Sequence, residues 1–267
     1  MKNNIGLGLR REIAKETLAM TTARPDFLEL APENWMRLGG HWRQVLEQAA
    51  EQFPLIPHGI SLSIGSTDPL DIAFLKEVKA FLDHYQIDLY SEHLCFSKCD
   101  NAHLFELFPM PFTQEAVEHL VARIKTTQEI IERPLTLELI SYYSVLAAEM
   151  TEAEFISAVV RESGCKLLLD VNNVFINASN HGYNPFDFIQ KLPLDAVSYL
   201  HIAGHTVLED GFLIDTHAAA VAEPVYGLLS ELLGSLSADV PILLERDSAF
   251  EGVDGLGQEL ERLRALV

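Results

Sequence analysis

The sequence has few cysteines and few basic residues. Only Cys95, Cys99 and Cys165 occur among 267 residues, and this small, odd number excludes a disulfide framework. Cys95 and Cys99 are near enough in sequence to pair or to bind a metal, but we expect reduced and mostly buried thiols. The 39 acidic residues outnumber the 19 basic ones and give a formal net charge of -20. That balance argues against a nucleic-acid partner, because such proteins neutralise phosphates with Lys and Arg.

Long apolar runs are also missing. No run approaches the roughly 20 residues that a membrane-spanning helix needs. The first residues, MKNNIGLGLRREIAKE, lack the apolar region of a signal peptide. We therefore expect a cytoplasmic protein with no membrane partner. Apolar residues nevertheless make up 48% of the chain, which is enough for a large core and argues against disorder.

Short apolar runs alternate with helical patterns along the whole chain. The runs have strand length and several are continuous, as in strands that are buried on both faces. They are Ile5–Leu9, Phe27–Leu30, Leu55–Ile60, Leu89–His93, Leu135–Leu139, Leu167–Val171, Val197–Ile202 and Ile242–Glu245. Helical patterns cover Leu70–Leu82, Thr113–Ile131, Thr151–Arg161 and Gly255–Leu266.

This alternation predicts one α/β domain over residues 1–267, because no linker or internal repeat divides the chain. Eight strand–helix units indicate a (β/α)8 TIM barrel. An open, doubly wound sheet is the alternative. The first turn carries G-L-G-L-R instead of the full G-x-G-x-x-G, so a nucleotide-binding fingerprint is weak.

Ionisable residues follow the apolar part of six successive predicted strands. They are His58, His93, Glu138, Asp170, His201 and Glu245. Taken singly, each could be a hydrogen-bonded structural histidine or an acid that caps the next helix. Taken together, they favour a shared metal site, because the strand ends of a barrel converge and unpaired buried charges cost several kcal/mol.

The stretch L-I-D-T-H, residues 213–217, adds two candidate ligands. Asp215 and His217 would face the same ion if the segment were extended, because residues two apart then point the same way. A solvated loop is the alternative. Asn173, in D-V-N-N, could join them. Carboxylates mixed with imidazoles suit iron, manganese or zinc, and no thiolate is among them. About nine candidates exceed the roughly six ligands of one octahedral ion, so we expect several ions, bridged by Glu138 or Glu245.

Five sequence blocks resemble one known family. They are H-G-I-S-L-S-I-G from His58, S-E-H-L-C-F-S from Ser91, L-L-L-D-V-N-N-V-F-I-N-A-S-N-H-G from Leu167, Y-L-H-I-A-G-H from Tyr199 and I-D-T-H from Ile214. They are similar to the DUF692, or UPF0276, family of multinuclear non-haem iron-dependent oxidases, which includes the methanobactin biosynthesis oxidase. The resemblance runs from G-L-G-L-R to L-L-E-R-D, nearly the whole chain.

The resemblance implies a xylose-isomerase-like TIM barrel with two or three iron ions, zinc or manganese being weaker candidates. One part of the cluster would use His58, His93 and Glu138, the centre would use Glu138, Asp170, His201 and Glu245, and a third position would use Asn173, Asp215 and His217. The similar ligand order of endonuclease IV supports this arrangement by analogy.

The resemblance also implies a peptide-modifying oxidase. It would use oxygen to modify residues, cysteine foremost, of a ribosomally made precursor peptide, and a separate small partner protein would present the leader of that peptide. The family commonly has Glu-Asn where this chain has Glu138-Leu139, which leaves the substrate contacts at that point in doubt.

Further polar residues lie beside these motifs. His205, His181 and Asn172 could orient a ligand or contact substrate, or be ordinary polar residues. Arg246, like Arg10, could anchor a substrate carboxylate or pair with the acids of the metal site. A sugar isomerase, an endonuclease IV-like phosphodiesterase and a non-catalytic metal-binding protein remain alternative functions. The acidic charge disfavours DNA as a substrate.

Overall fold

The computed structural model describes residues 4–100, 102–236, 239–250 and 252–267. In these ranges the strands are β1 (Ile5–Gly8), β2 (Phe27–Leu30), β3 (Leu55–Pro57), β4 (Tyr90–His93), β5 (Cys95–Cys99), β6 (Ala102–Pro109), β7 (Leu135–Glu138), β8 (Lys166–Asp170), β9 (Val197–Ala203), β10 (His205–Val207), β11 (Leu213–Asp215) and β12 (Ile242–Glu245).

The α-helices in the same ranges are α1 (Ala14–Leu18), α2 (Gly40–Gln52), α3 (Ile72–His84), α4 (Gln114–Ile131), α5 (Glu152–Ser163), α6 (Val171–His181), α7 (Pro185–Ile189), α8 (Glu223–Leu233) and α9 (Val253–Leu266). Short 3-10 helices cover Pro32–Asn34 and Leu194–Ala196. No helix within the described ranges is long and apolar enough to cross a membrane.

Eight strands form one parallel sheet in the order β3-β2-β1-β12-β9-β8-β7-β4. The two ends of this order meet where His58, just after β3, makes a parallel bridge with Ser91 of β4. The backbone N–H of Gly59 also donates to the carbonyl of Ser91 across 2.7 Å. The sheet is therefore a nearly closed barrel, as the alternating sequence pattern predicted, and its closing contact lies at the carboxyl end of the strands.

The strand boundaries differ slightly from the sequence prediction, most clearly in the third strand. It was predicted to reach Ile60 but ends at Pro57. After Pro57 the backbone turns from β2 towards β4. The N–H of His58 still donates to the carbonyl of Leu30 in β2, whereas the N–H of Gly59 donates to the carbonyl of Ser91 in β4. The apolar residues after Pro57 thus belong to the loop that closes the barrel.

Two hairpins interrupt the simple strand–helix alternation. β5 and β6 form an antiparallel pair after β4, and β10 and β11 form another after β9. Neither hairpin is among the elements that the sequence pattern predicts. Both hairpins leave from the carboxyl ends of barrel strands, which is the face where TIM-barrel enzymes place their active sites.

The core lies inside the barrel wall and between the sheet and its helices. The strand pattern of continuous apolar residues fits burial on both faces, and Leu28, Leu167 and Leu244 are at most 1% exposed. Helices cover the outer face with one apolar stripe each; in α4 this stripe includes Val117, Leu120 and Ile124. The barrel thereby provides a rigid frame for the polar residues at its carboxyl end.

Helix α5 has the capping box that its first residues predict. The Thr151 hydroxyl accepts a hydrogen bond from the backbone N–H of Glu154, and the Glu154 carboxylate accepts one from the backbone N–H of Thr151. Two of the N–H groups that a helix start leaves without partners are satisfied in this way. The cap fixes where α5 starts after the long loop that follows β7.

We expect Thr151→Ala to lower the free energy of unfolding by about 1 kcal/mol, because the N–H of Glu154 loses its acceptor. Urea denaturation followed by circular dichroism measures this change. Thr126→Ala is the matched control, because Thr126 is exposed within α4 and its hydroxyl bonds only the carbonyl of Ala122. An equal change in both variants would contradict the capping role.

Candidate metal centre

Buried acids and histidines converge at the carboxyl end of the barrel. Each of the six residues predicted from the strand ends lies at this end, on a different strand or directly after one. The least exposed are Asp170 and His201, at 0%, and Glu138, at 2%. The side chains are brought together because neighbouring parallel strands end at the same edge of the barrel.

The first group consists of His58, His93 and Glu138. The Nε2 atoms of the two histidines lie 3.2 Å apart. The Oε2 atom of Glu138 lies 3.0 Å from Nε2 of His58 and 3.3 Å from Nε2 of His93. Three potential ligand atoms therefore face one point, close enough to bind a single ion.

The second group shares Glu138 with the first and adds Asp170, His201 and Glu245. Nδ1 of His201 lies 2.9 Å from Oε2 of Glu245 and 3.8 Å from Oε1 of Glu138. The two oxygens of Glu138 thus face different groups. Its carboxylate is placed as a bridge between them.

The third group lies around His217, nearer the mouth of the site. Nδ1 of His217 lies 3.5 Å from Oε1 of Glu245 and 3.1 Å from Oδ2 of Asp247, and Nε2 lies 2.8 Å from Oδ1 of Asp215. Glu245 therefore also presents one oxygen to each of two groups. The side chains of Asp215 and His217 converge, although the segment is not extended as the sequence analysis assumed, because His217 has a φ of 46°.

Gly204 allows the loop that follows His217 to approach the barrel. A Cβ atom on this glycine would lie 2.0 Å from the carbonyl oxygen of Ala219, which is far closer than van der Waals contact permits. The backbone carbonyl of His217 also accepts a hydrogen bond from the N–H of Asp247, 3.0 Å away. These two contacts hold the D-T-H segment over the site.

Asn173 lies beside Glu138. Its Nδ2 donates to Oε1 of Glu138 and to the carbonyl of Leu139, at 3.3 and 3.2 Å. The residue sits in the first turn of α6, whose N-cap is Asp170. That short helix start fixes Asn173 over the first two groups.

Many of the converging atoms have no hydrogen-bond partner among the described residues. They are Nδ1 of His93, Oε2 of Glu138, Oδ2 of Asp170, Oδ1 of Asn173, Nδ1 of His201, Nε2 of His217 and Oε2 of Glu245. Several lie close to one another, but with angles that no hydrogen bond satisfies. Buried polar atoms are normally paired, so this concentration of unpaired oxygen and nitrogen atoms fits a set of metal ligands.

The pKa values record how strongly the groups interact. Burial, and then the charge of Glu138, raise the pKa of Asp170 to about 8. Burial alone would raise the pKa of Glu138, but His93 and His58 outweigh it and hold that pKa at about 2. Burial would lower the pKa of His58, yet its contact with Glu138 raises the value to about 9. The protein alone thus balances the buried negative charge with protons on histidine and aspartate.

Glu29 is a part of the site that the sequence analysis missed. It lies in β2, is 1% exposed, and accepts hydrogen bonds from Nε2 of His201 (2.8 Å) and from the hydroxyl of Tyr199 (2.9 Å). The bond to Nε2 turns Nδ1 of His201 towards Glu245, as an outer carboxylate does for a metal-binding histidine. An acid inside the apolar run F-L-E-L was the available signal.

The additional candidates fall in different places. His205 Nδ1 donates to Oδ1 of Asn172 across 2.7 Å, and Nδ2 of Asn172 donates to Oδ1 of Asp215 across 3.1 Å. These residues form a chain that ends on the third group. His181 instead contacts the carbonyl of Tyr142, 3.0 Å away, at the end of α6.

The expected pairing of Arg246 with the acids of the metal site is not found among the described residues. Its guanidinium pairs with Glu259 of α9 at 2.7 Å and not with the acids of the site, because successive residues beyond Glu245 point to opposite sides of the barrel wall. Arg10 does pair with those acids: its NH2 atom lies 3.7 Å from Glu245 and 2.6 Å from Asp247.

A cavity of about 400 Å³ opens onto the first and third groups. Its lining includes His58, His93 and His217, with Arg10 and Asp247 also on its wall. The apolar side chains of Ile60 and Leu107 line it as well. The site therefore has room for a small part of a substrate next to the converging ligands.

Comparison with known proteins identifies the family. The family of RiPP precursor modification enzymes MbnB/TglH/ChrH, which act on ribosomally synthesised precursor peptides, matches residues 4–267. A UPF0276 protein of Shewanella amazonensis is 47% identical over 97% of this chain and 92% of its own. The chain belongs to this family. A UPF0276 protein of Acinetobacter baylyi is 44% identical over 98% of the chain and 90% of its own.

Solved structures share the barrel at low sequence identity. Endonuclease IV from Thermus thermophilus superposes with a TM-score of 0.64 and 15% identity, covering 98% of both chains. A xylose isomerase domain protein from Planctomyces limnophilus superposes with a TM-score of 0.63 and 14% identity, covering 100% of this chain and 98% of that one. These similarities confirm the xylose-isomerase-like TIM-barrel fold.

We expect Glu29→Gln to lower the pKa of His201 in the metal-free protein. Burial depresses that pKa, and the charge of Glu29 is the strongest of the interactions that raise it well above the usual value. Histidine-ring NMR recorded against pH after chelator treatment measures the change. Glu33→Gln is the control, because that carboxylate instead bonds the N–H of Ile60. An unchanged His201 titration in Glu29→Gln would show that Glu29 does not set its charge.

Proposed function

We propose that the protein is a multinuclear non-haem iron-dependent oxidase that uses oxygen to modify residues, cysteine foremost, of a ribosomally made precursor peptide. Family membership supports a peptide substrate and an enzymatic role. The observation that carries the metal part is the placement of Glu138 and Glu245, because each presents its two oxygens to two different groups of ligands. Bridging carboxylates link neighbouring ions, so this geometry favours a cluster over a single ion.

The ligand assignment follows from the three groups. We propose that His58 and His93 bind one ion with Glu138, and that Asp170 and His201 bind the central ion with Glu138 and Glu245. Asp215 and His217 would bind a third ion through the unpaired Nε2 of His217, whereas Nδ1 of that ring faces Glu245 and Asp247. Asn173 is 3% exposed and its Oδ1 is unpaired while its Nδ2 contacts Glu138, so we retain it as a ligand.

The donor set is compatible with iron. It contains carboxylate oxygens and imidazole nitrogens without a thiolate, a combination that suits iron, manganese or zinc, and the family resemblance makes iron our choice among them. Iron bound there would supply redox electrons and Lewis acidity without an organic cofactor.

Residues around the proposed ligands orient them, offset their charge and line the cavity beside them. Glu29 keeps the proton of His201 on Nε2 and so leaves Nδ1 available as a ligand. The His205–Asn172 pair holds Oδ1 of Asp215 in position. Arg10 offsets the negative charge of Glu245 and Asp247 at the mouth. Ile60 and Leu107 make part of the cavity wall apolar, which reduces water access beside the ligands.

The assignment of the partner rests on the family resemblance. We propose that a small separate protein presents the leader of the precursor peptide, while the carboxyl end of the barrel receives the segment to be modified. His181 lies outside the converging groups and Arg246 lines a different cavity beside α9, so we assign neither of them a role in the reaction.

We expect protein purified without oxygen from iron-rich medium to contain more than one iron ion per chain by elemental analysis.

Glu138→Ala and Glu245→Ala should each lose metal and oxygen uptake while the circular dichroism spectrum stays the same, because each removes a ligand that faces two of the groups. Glu209→Ala, an exposed acid between β10 and β11, is the control and should keep its metal. Stoichiometric zinc alone would overturn the iron assignment, and full metal content in either variant would overturn its role as a ligand.

The double variant Asp215→Ala/His217→Ala should lower the metal content by about one ion and abolish peptide oxidation, because a site that loses two of roughly six ligands binds its ion weakly. The ions of the other two groups should remain bound. Asp210→Ala, in the turn of the same hairpin, should change neither quantity. Unchanged metal content and turnover in the double variant would show that L-I-D-T-H is only a loop.

A further inference from the structure

Exposed apolar side chains are concentrated on the side of the barrel that carries the metal centre. Among the described residues, most of the large apolar side chains that remain exposed lie on loops that leave the carboxyl ends of barrel strands. These are Ile60, Leu104, Phe105, Leu107, Phe108, Tyr143, Val145, Leu146, Val207 and Leu208. We call this set the apolar rim. Exposed apolar groups gathered in one region of a protein commonly mark a binding surface.

Phe105 is the most exposed member of the apolar rim. Its side chain is 92% exposed, and its φ of 59° lies in the left-handed region that a phenylalanine rarely adopts. A backbone conformation of this kind is unfavourable, and such strain clusters at ligand-binding segments. Neither the apolar side chain nor the backbone of this residue is explained by packing within the described chain.

The strand that carries Phe105 has a free edge. β6 is eight residues long and pairs with β5 in a sheet of two strands. No other described strand pairs with its outer edge. The ladder with β5 is interrupted by a bulge between the pairs Phe96–Phe108 and Lys98–His103. The free edge therefore presents N–H and C=O groups to a further extended segment on either side of this bulge.

The free edge of β6 continues into the metal cavity. Leu107, near the end of β6, lines that cavity together with Ile60, His58 and His93. Leu107 and Ile60 also belong to the apolar rim, at 37% and 46% exposure. A segment that lies along β6 is therefore led directly to the first group of ligands.

We propose that the peptide substrate binds by adding an extended strand to the outer edge of β6, with its apolar side chains on the apolar rim and the residue to be modified beside Leu107. The proposal rests on the proposed function for the peptide nature of the substrate. Main-chain hydrogen bonds supply affinity in this mode of recognition, and contacts with alternate side chains supply selectivity.

An extended peptide fits this surface better than a folded partner or a second copy of the chain. The cavity holds about 400 Å³, which accommodates a few side chains but no folded element. A single extended segment can pair with β6 and also place one residue in the cavity.

The test uses the full-length protein as purified, under nitrogen, so that binding is measured without turnover. The probe is a displayed library of random linear peptides of about 12 residues, enough to span β6. Enriched peptides are synthesised, and their Kd is measured by fluorescence anisotropy. We expect enrichment of extended apolar sequences, and N-methylation of alternate backbone amides in an enriched peptide should abolish its binding.

Phe105→Asp and Leu107→Asp should each raise the Kd by at least about tenfold, as the loss of a central apolar contact does. Leu266→Asp is the matched control: Leu266 has the same 37% exposure as Leu107 but lies at the end of α9, away from the rim, and its Kd should be unchanged. Circular dichroism and metal content, unchanged in all three variants, would show that they are folded.

Three outcomes would overturn the proposal. The first is no enrichment, and the second is binding that neither the rim variants nor N-methylation weaken. The third is a dimer in sedimentation velocity that Phe105→Asp dissociates, which would assign the rim to a second copy. Failure of the proposed oxidase is distinguishable, because iron content and oxygen uptake are measured separately: peptide binding can hold without oxidation, and oxidation can hold without binding at β6.

Discussion

The mutual neutralisation of buried acids and histidines is the constraint around which the carboxyl end of the barrel is organised. Asp170, His201 and Glu138 are almost fully buried, where an isolated charge costs several kcal/mol. No single pair satisfies them: histidines keep the pKa of Glu138 low, while burial and then the charge of Glu138 raise the pKa of Asp170 to about 8. The protein maintains this arrangement because eight strands fix the positions of the side chains at one edge.

A second layer of contacts holds the converging groups in place. Glu29 and Tyr199 fix the ring of His201 from inside the barrel, whereas Asn172 and His205 fix Asp215 from the loop side. The inner contacts come from strands and the outer ones from a helix start and a hairpin. The inner groups are therefore positioned by the rigid sheet, and the group around His217 depends on segments that can differ between related proteins.

The fold and the inner groups were predictable from sequence because both depend on a short-range signal. Each strand is a continuous apolar run, and an ionisable residue within or just after such a run has few explanations other than a site. The same signal was present for Glu29 in F-L-E-L and was overlooked. The structure confirms the predicted barrel, whereas the metal-binding roles of these residues remain predictions.

The outer part of the site was harder to predict because it depends on long-range contacts. The contact of Arg246 with Glu259 is set by the packing of α9 against the barrel, and the place of Asn173 beside Glu138 is set by the start of α6. The left-handed conformation of His217 has no marker in D-T-H, since only glycine favours that region. Asp100-Asn101, the two residues between β5 and β6, lack the glycine of the commonest hairpin turn motifs.

The barrel closes between β3 and β4 through contacts at its carboxyl end. The other neighbouring strands share a register of several residues, whereas these two are joined at His58, Gly59 and Ser91. Separation of β3 from β4 at these contacts would move His58 away from His93, which lies at the end of β4. A cation bound by the imidazole rings of both histidines would therefore link β3 to β4. Metal binding would then slow amide hydrogen exchange at Gly59 more than exchange on the opposite side of the barrel. Occupancy of the metal centre would in this way control local opening of the fold.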